Sequence, residues 1–282
     1  MKKYPHLDIV EFGRTLITTG DLDPVYIALN NSGWSEAQRL RWLVAYVAFY
    51  HCGVACLISE RKRGEFWFLM AGAADNQEMA SPCADGRWPR GKERRHFRAE
   101  AAVKAVEEWE AAYPEPEEMF RYIAGKNGNF DDIMVRALRH RSVGSWMSFK
   151  MVDLVDACMG VDVDQSDVWP FLYETPRTSL LQQYRKRHRL KPSQEVPDEQ
   201  KALMESINYL RKEFSDLTIP HKPGKPIDMF CIETVACKHL SHLHGHYPIG
   251  NDITEIRHGL QPWLECKSAQ QFLKAVPSGE KL

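Results

Sequence analysis

Apolar residues recur at intervals of three and four along almost the whole chain, and the strict alternation of a half-buried strand is nearly absent. A chain patterned this way has to bury helix stripes against other helices, so an all-α fold is expected. Its 282 residues suffice for one large domain or two small ones. The reading adopted is a single helical unit over residues 1–282, with a division into two helical lobes flanking the active site as the open alternative.

The first strong helix opens at Ser35, where Ser35 and Gln38 have capping-box spacing. Its apolar positions run from Leu40 through Val47 and Phe49 toward Ser59, as one central buried helix. Glu65 to Met70 is a short apolar run of undecided type, and Ala71 to Gly91 reads as a loop. Further helices are expected at about 97–113, 114–125, 130–139, 146–158, 177–189, 198–215, 229–243, 252–264 and 268–275. Between two of them Ser142-Val143-Gly144-Ser145 interrupts the pattern for one tight turn, which gives helix, hairpin, helix.

The charges nearly cancel, 37 Lys+Arg against 38 Asp+Glu, which excludes a general polyanion binder. Their distribution is uneven, because Arg87 to Arg98 and Arg185 to Lys191 (RKRHRLK) are strongly basic, and such patches are how a neutral protein meets phosphates. No window approaches the roughly 18 apolar residues of a membrane span, and the opening residues lack a secretory apolar run. Seven cysteines without a Cys-x-x-Cys pair fit reduced thiols in a cytoplasm.

Four groups of residues could carry chemistry. The hairpin can aim backbone amides at a DNA phosphate, making Arg141, Ser142, Gly144, Ser145 and Trp146 candidate DNA contacts, against the plainer reading of an ordinary αα turn. In RGKERRHFR, Arg94, Arg95 and Arg98 fall at the start of a helix with Glu93 and His96 between them. Cations there oppose the helix dipole, and a multiply charged phosphate would account for them, whereas a solvated charged face would not. The segment IETVACKHLSHLHGHYPIGND is rich in histidine but lacks zinc-ligand spacing, so a polar wall of an active site is preferred to a metal centre. In Tyr50-His51-Cys52-Gly53, the glycine implies close packing, and His51 is either a hydrogen-bonded core imidazole or a catalytic one.

The stretch VGSWMSFKMVDLV followed by VDVDQSDVW resembles the helix-hairpin-helix DNA glycosylases, in which a Val-Asp-Val-like segment supplies the catalytic carboxylate. Asp162 and Asp164 both qualify, and Trp146 stands where bifunctional glycosylases carry lysine. Taken together, GDLDPVY, FYHCGVACLISE, RGKERRHFR, VGSWMSFKMVDL and IETVACKHLSHLHGHYPIGNDI resemble the alpha-glutamyl/putrescinyl thymine pyrophosphorylase family, the amino acid:DNA transferases.

That resemblance implies a glycosylase-like helical scaffold in a phage enzyme working in the cytoplasm of the infected bacterial host. Its substrates would be double-stranded DNA carrying a modified thymine, pyrophosphorylated after a 5-hydroxymethyluracil DNA kinase has acted, and a small amine or amino acid. The amine would displace pyrophosphate from the 5-methylene carbon. Arg94, Arg95, Arg98, Lys150 and Lys238 are the candidates for holding pyrophosphate. Asp162, Asp164, Glu93, His96 and His51 are the candidates for taking the amine proton. Tyr26, Tyr50, Glu233, His242, His246, Tyr247 and Asp252 complete the expected pocket. No cofactor is required by this chemistry, and Mg2+ sharing the pyrophosphate charge is the one option, without an evident ligand set. A base-excising glycosylase and a non-catalytic DNA-binding module are the alternatives.

Overall fold

The computed structural model describes residues 6–76, 87–166, 168, 172–192 and 194–280. In chain order the helices are α1 (Ile9–Thr19), α2 (Pro24–Asn30), α3 (Glu36–Phe49), α4 (Cys52–Ser59), α5 (Arg63–Asp75), α6 (Ala99–Ala112), α7 (Glu117–Ala124) and α8 (Phe130–Leu138). They continue with α9 (Ser145–Cys158), α10 (Glu174–Arg187), α11 (Glu199–Glu213), α12 (Met229–Leu243), α13 (Asn251–Leu260) and α14 (Lys267–Ala275). Short 3-10 turns lie at Lys92–Arg94 and Gln261–Trp263. The fold is all-α, and the only β-type pairings among the described residues are isolated bridges at Asn129–Asp164 and Thr218–Pro226.

Three expectations need correction. The central helix expected from Ser35 to Ser59 is two helices: α3 ends at Phe49, Tyr50 turns left-handed at φ 51°, and His51 caps α4. The Phe49 carbonyl is taken instead by the amide of Gly91 at 2.9 Å, so the α3 ladder stops there. The run at 65–70 and the residues after it form α5, while residues 77–86 of the expected loop lie outside the described residues. Two helices, α1 and α2, precede Ser35; α1 is opened by Asp8, whose side chain accepts from the amides of Val10 and Glu11.

The chain divides into two compact units. The first comprises Met1–Ile27, Gln165–Thr254 and Pro277–Leu282. In it α12 packs on α1, α10 and α11, burying Phe12, Leu16, Leu180, Leu203, Ile207, Ile232 and Val235.

The second comprises Ala28–Asp164 and Glu255–Val276. Its centre is α3, buried at every position from Leu40 to Phe49, with α4, α7 and α9 against it. Arg41 is buried within this helix and is matched there: it pairs with Glu117 of α7, and its Nε donates to Ser59 O of α4 at 2.9 Å. A buried cation held this way fixes three helices around the α3–α4 break.

Candidate functional site

In the second unit the segment 91–97 docks on the break between α3 and α4. A Cβ built on Gly91 would lie 2.7 Å from Tyr50 O, 2.9 Å from Glu93 Oε2 and 3.0 Å from Tyr50 Cβ, so only glycine lets the two segments meet and the Glu93 carboxylate lie against Tyr50. Arg94 then points inward. Its Nε donates to Ala48 O at 3.1 Å, its Nη1 to Ser142 O at 2.9 Å, and its guanidinium covers the Phe97 ring at 4.5 Å. Burial lowers its pKa to about 10, which keeps it charged at neutral pH, and Ala48 O belongs to the negative end of the α3 dipole.

The hairpin between α8 and α9 sits at the other end of that guanidinium. Ser142 is left-handed at φ 64°, Val143 N donates to His140 O, and Gly144 precedes the α9 amides with no side-chain cap. The Trp146 ring meets Tyr50 edge-on at 5.5 Å, and Tyr50 stacks on Tyr46 at 4.7 Å. Burial holds the Tyr46 phenol well above its ordinary value, and Tyr50, Cys52 and Glu93 push the same way. Glu93, Tyr46, Tyr50, Trp146, Arg94 and the hairpin therefore form one cluster. Tyr50 and Ser142 both hold left-handed backbone without being glycine, strain of the kind that gathers at functional sites.

The three arginines of RGKERRHFR separate. Only Arg98 reaches a helix N-terminus, as the residue before α6; Arg94 lies in the 3-10 turn, and Arg95 is exposed and donates to His96 Nε2 at 3.0 Å. Arg94 is thus a buried strut, while Arg95 and Arg98 keep their charge at the surface. Lys150 on α9 lies 2.6 Å from the buried Asp153, so its charge is already matched. Asp162 and Asp164 lie on an exposed loop tied to the start of α8 by the bond from Asp164 N to Gly128 O at 2.8 Å.

In the first unit GDLDPVY and HGHYPIGND come together around Asp21. This carboxylate is fully buried and accepts from Gly250 N at 2.7 Å, Ile253 N at 3.1 Å and Tyr247 OH at 3.2 Å. Lys238 donates to Asp21 O at 2.8 Å and to Leu22 O, and pairs with Asp252 at 2.7 Å, which uses its three N–H groups. It is a structural pin rather than a pyrophosphate ligand. His242 accepts from Leu7 N at 3.2 Å and bonds Tyr247 O at 2.9 Å; His239 bonds Leu7 O at 3.2 Å. Tyr26 is buried edge-on to His221, Glu233 is half-buried on α12, and His246 is exposed. The histidine-rich segment thus serves mostly to hold backbone, and among the described residues no three His, Cys, Asp or Glu side chains gather to hold a metal ion.

The family model for amino acid:DNA transferases matches residues 16–247, which takes in both clusters. The chain belongs to the amino acid:DNA transferase family. A protein of Pseudomonas phage PaMx11 described as a glycinyltransferase is 36% identical to it over 288 aligned positions, 98% of each chain.

For this transferase the geometry narrows the field of candidates. His51 is the cap of α4: its Nδ1 accepts from Val54 N at 3.3 Å, and burial lowers its pKa to about 4. An imidazole so engaged is a weak base at neutral pH, which takes His51 out of the proton-accepting role. Sequence reasoning missed Asp21 and Tyr46, the one hidden in an acidic turn motif and the other in an apolar helix. Asp21 had a signal, since a carboxylate directly after Gly20 in GDLDP is available to bond amides of another segment, but its partners lie more than 220 residues away.

Proposed function

We propose that this transferase displaces pyrophosphate from 5-pyrophosphoryloxymethyluracil in double-stranded DNA with the amine of glycine or a similar small amine, on a scaffold of the glycosylase kind. The C–N bond forms at the 5-methylene carbon, the C–O bond breaks, pyrophosphate leaves, and a carboxylate takes the proton of the attacking amine. The observation that carries the reading is that Gly91–Phe97 is bolted by Arg94 to both the α3 end and the hairpin, which sets a carboxylate, an aromatic pair and a DNA-facing turn side by side. Glu93 is the base in this scheme. Arg95, Arg98 and Lys92 meet the departing pyrophosphate as solvent-facing cations, Trp146 and Tyr50 receive the pyrimidine, and the amides of the hairpin hold the backbone.

Such a substrate must be supplied by a kinase acting on 5-hydroxymethyluracil in DNA. Glycine is favoured as donor because the PaMx11 relative is described as a glycinyltransferase. The test is mass spectrometry of nucleosides from 5-pyrophosphoryloxymethyluracil DNA incubated with the protein and a mixture of amino acids and putrescine. A nucleoside carrying glycine in place of pyrophosphate is expected, and putrescine transfer would correct the donor. Free base with an abasic site would replace the proposal with a glycosylase, and DNA binding without product would reduce it to a binding module.

A further inference from the structure

We propose that His51, Trp263 and Gly259, all in the second unit, form the subsite for the carboxylate of the amino acid donor; the inference rests on the transfer reading above. The hydrogen bond from Val54 N to His51 Nδ1 occupies one ring nitrogen as an acceptor, so the neutral ring carries its proton on Nε2. That N–H faces the place where Gly259 has no side chain. A Cβ built there would find only His51, with Nε2 at 3.5 Å and Cε1 at 4.0 Å, among the described residues.

Beside it lies a second donor. Trp263 is 2% exposed, and its indole N–H has no hydrogen-bond partner among the described residues. The ring is seated on α4 by the missing side chain of Gly53, whose Cβ would come within 2.2 Å of Trp263 Cδ1 and 2.4 Å of Nε1. The centroids of the His51 and Trp263 rings are 5.9 Å apart.

Two neighbouring N–H donors without acceptors are rare in folded proteins, and the group that completes them must accept without donating. A monoanionic carboxylate fits, since neutral donors suffice for it, whereas pyrophosphate calls for cations. The placement suits the donor as well: the Glu93 carboxylate lies against Tyr50, the residue before His51, so groups for the two ends of an amino acid flank one turn of chain.

Two variants separate this role from folding. His51→Asn keeps an oxygen to cap Val54 N and removes the outward N–H. Gly259→Ala fills the gap with a methyl group at ordinary contact distance. Expected for both is a glycine KM raised about tenfold or more, the worth of a hydrogen bond to a charged group, with the KM for DNA and the Tm unchanged. A glycine titration of the wild type should also shift the His51 ring nitrogen resonances, identified by their loss in His51→Asn, while methylamine should not. An unchanged glycine KM in Gly259→Ala, or equal shifts with glycine and methylamine, overturns the subsite. If the wild type transfers no amine at all, the functional reading has failed, and the glycine titration still decides whether the subsite exists.

Discussion

Arg94 Nη1 donates to Ser142 O at 2.9 Å, across 48 residues of chain, while Nε of the same guanidinium holds Ala48 O. One buried cation therefore sets the distance between the α3–α4 break and the hairpin. Ser142 pays for it with a left-handed backbone, and Tyr50 stands in the same conformation two residues beyond Ala48. The position of Trp146 over Tyr50 follows from this tie.

Neighbouring arginines should accordingly behave differently. Arg94→Met removes two hydrogen bonds from a charged donor and should cost about 2–4 kcal/mol, seen as a Tm lower by several degrees. Arg95→Ala should leave the Tm where it is and act on turnover alone. Thermal unfolding of the two variants decides; equal and small shifts in both would show that the strut is not needed.

The Gly144 position separates an internal from an external demand for glycine. A Cβ there would meet nothing within 4 Å, and no left-handed φ requires glycine. Gly144→Ala should therefore fold with wild-type stability yet bind duplex DNA more weakly, because the methyl group stands between the α9 amides and a phosphate. Fluorescence anisotropy across a salt series measures this. Wild-type affinity in the variant would move the DNA backbone away from the hairpin.

How far the sequence disclosed this arrangement depends on where each constraint originates. The bounds of α12 follow from its own periodicity and were expected at 229–243, as observed. The break at Tyr50–His51 is invisible locally, since apolar residues continue through it and the cause is Gly91, forty residues on. Helix α1 went unassigned because Val10, Gly13, Thr15, Ile17, Thr18 and Thr19 are poor helix formers, and its burial against α12 supplies what propensity lacks. Likewise RGKERRHFR announces cations near a helix start, but which arginine turns inward is decided by the Ala48 and Ser142 carbonyls.

Stability should fall with acid through His239. Burial chiefly lowers its pKa, to about 4, while the unfolded chain has the ordinary 6.5. Between those values the unfolded state binds the proton and the folded state does not, so the contribution is complete above pH 6.5 and shrinks as pH falls toward 4. The difference corresponds to on the order of 3 kcal/mol. Urea unfolding at pH 7, 5.5 and 4.5 should show a steep loss in the wild type and a shallower one in His239→Gln. Parallel curves would mean that the imidazole does not govern the acid limb.

The choice of base among the carboxylates can be made on position. Glu93 is exposed, lies against Tyr50 and borders the Tyr50–Trp146 pair, whereas Asp162 and Asp164 stand on a loop whose anchor is Gly128 at the start of α8. A base for the attacking amine must reach the carbon beside the pyrimidine, and in the proposed scheme that ring rests on Trp146. Glu93→Gln should then lower kcat by about 10²–10⁴ without changing DNA affinity or Tm, since the amide keeps the shape and loses only the proton acceptor. Asp162→Asn and Asp164→Asn should each retain most of the turnover. The opposite pattern, turnover surviving in Glu93→Gln and lost in one aspartate variant, would place the proton transfer on the loop after α9 and leave Glu93 as a packing partner of Tyr50.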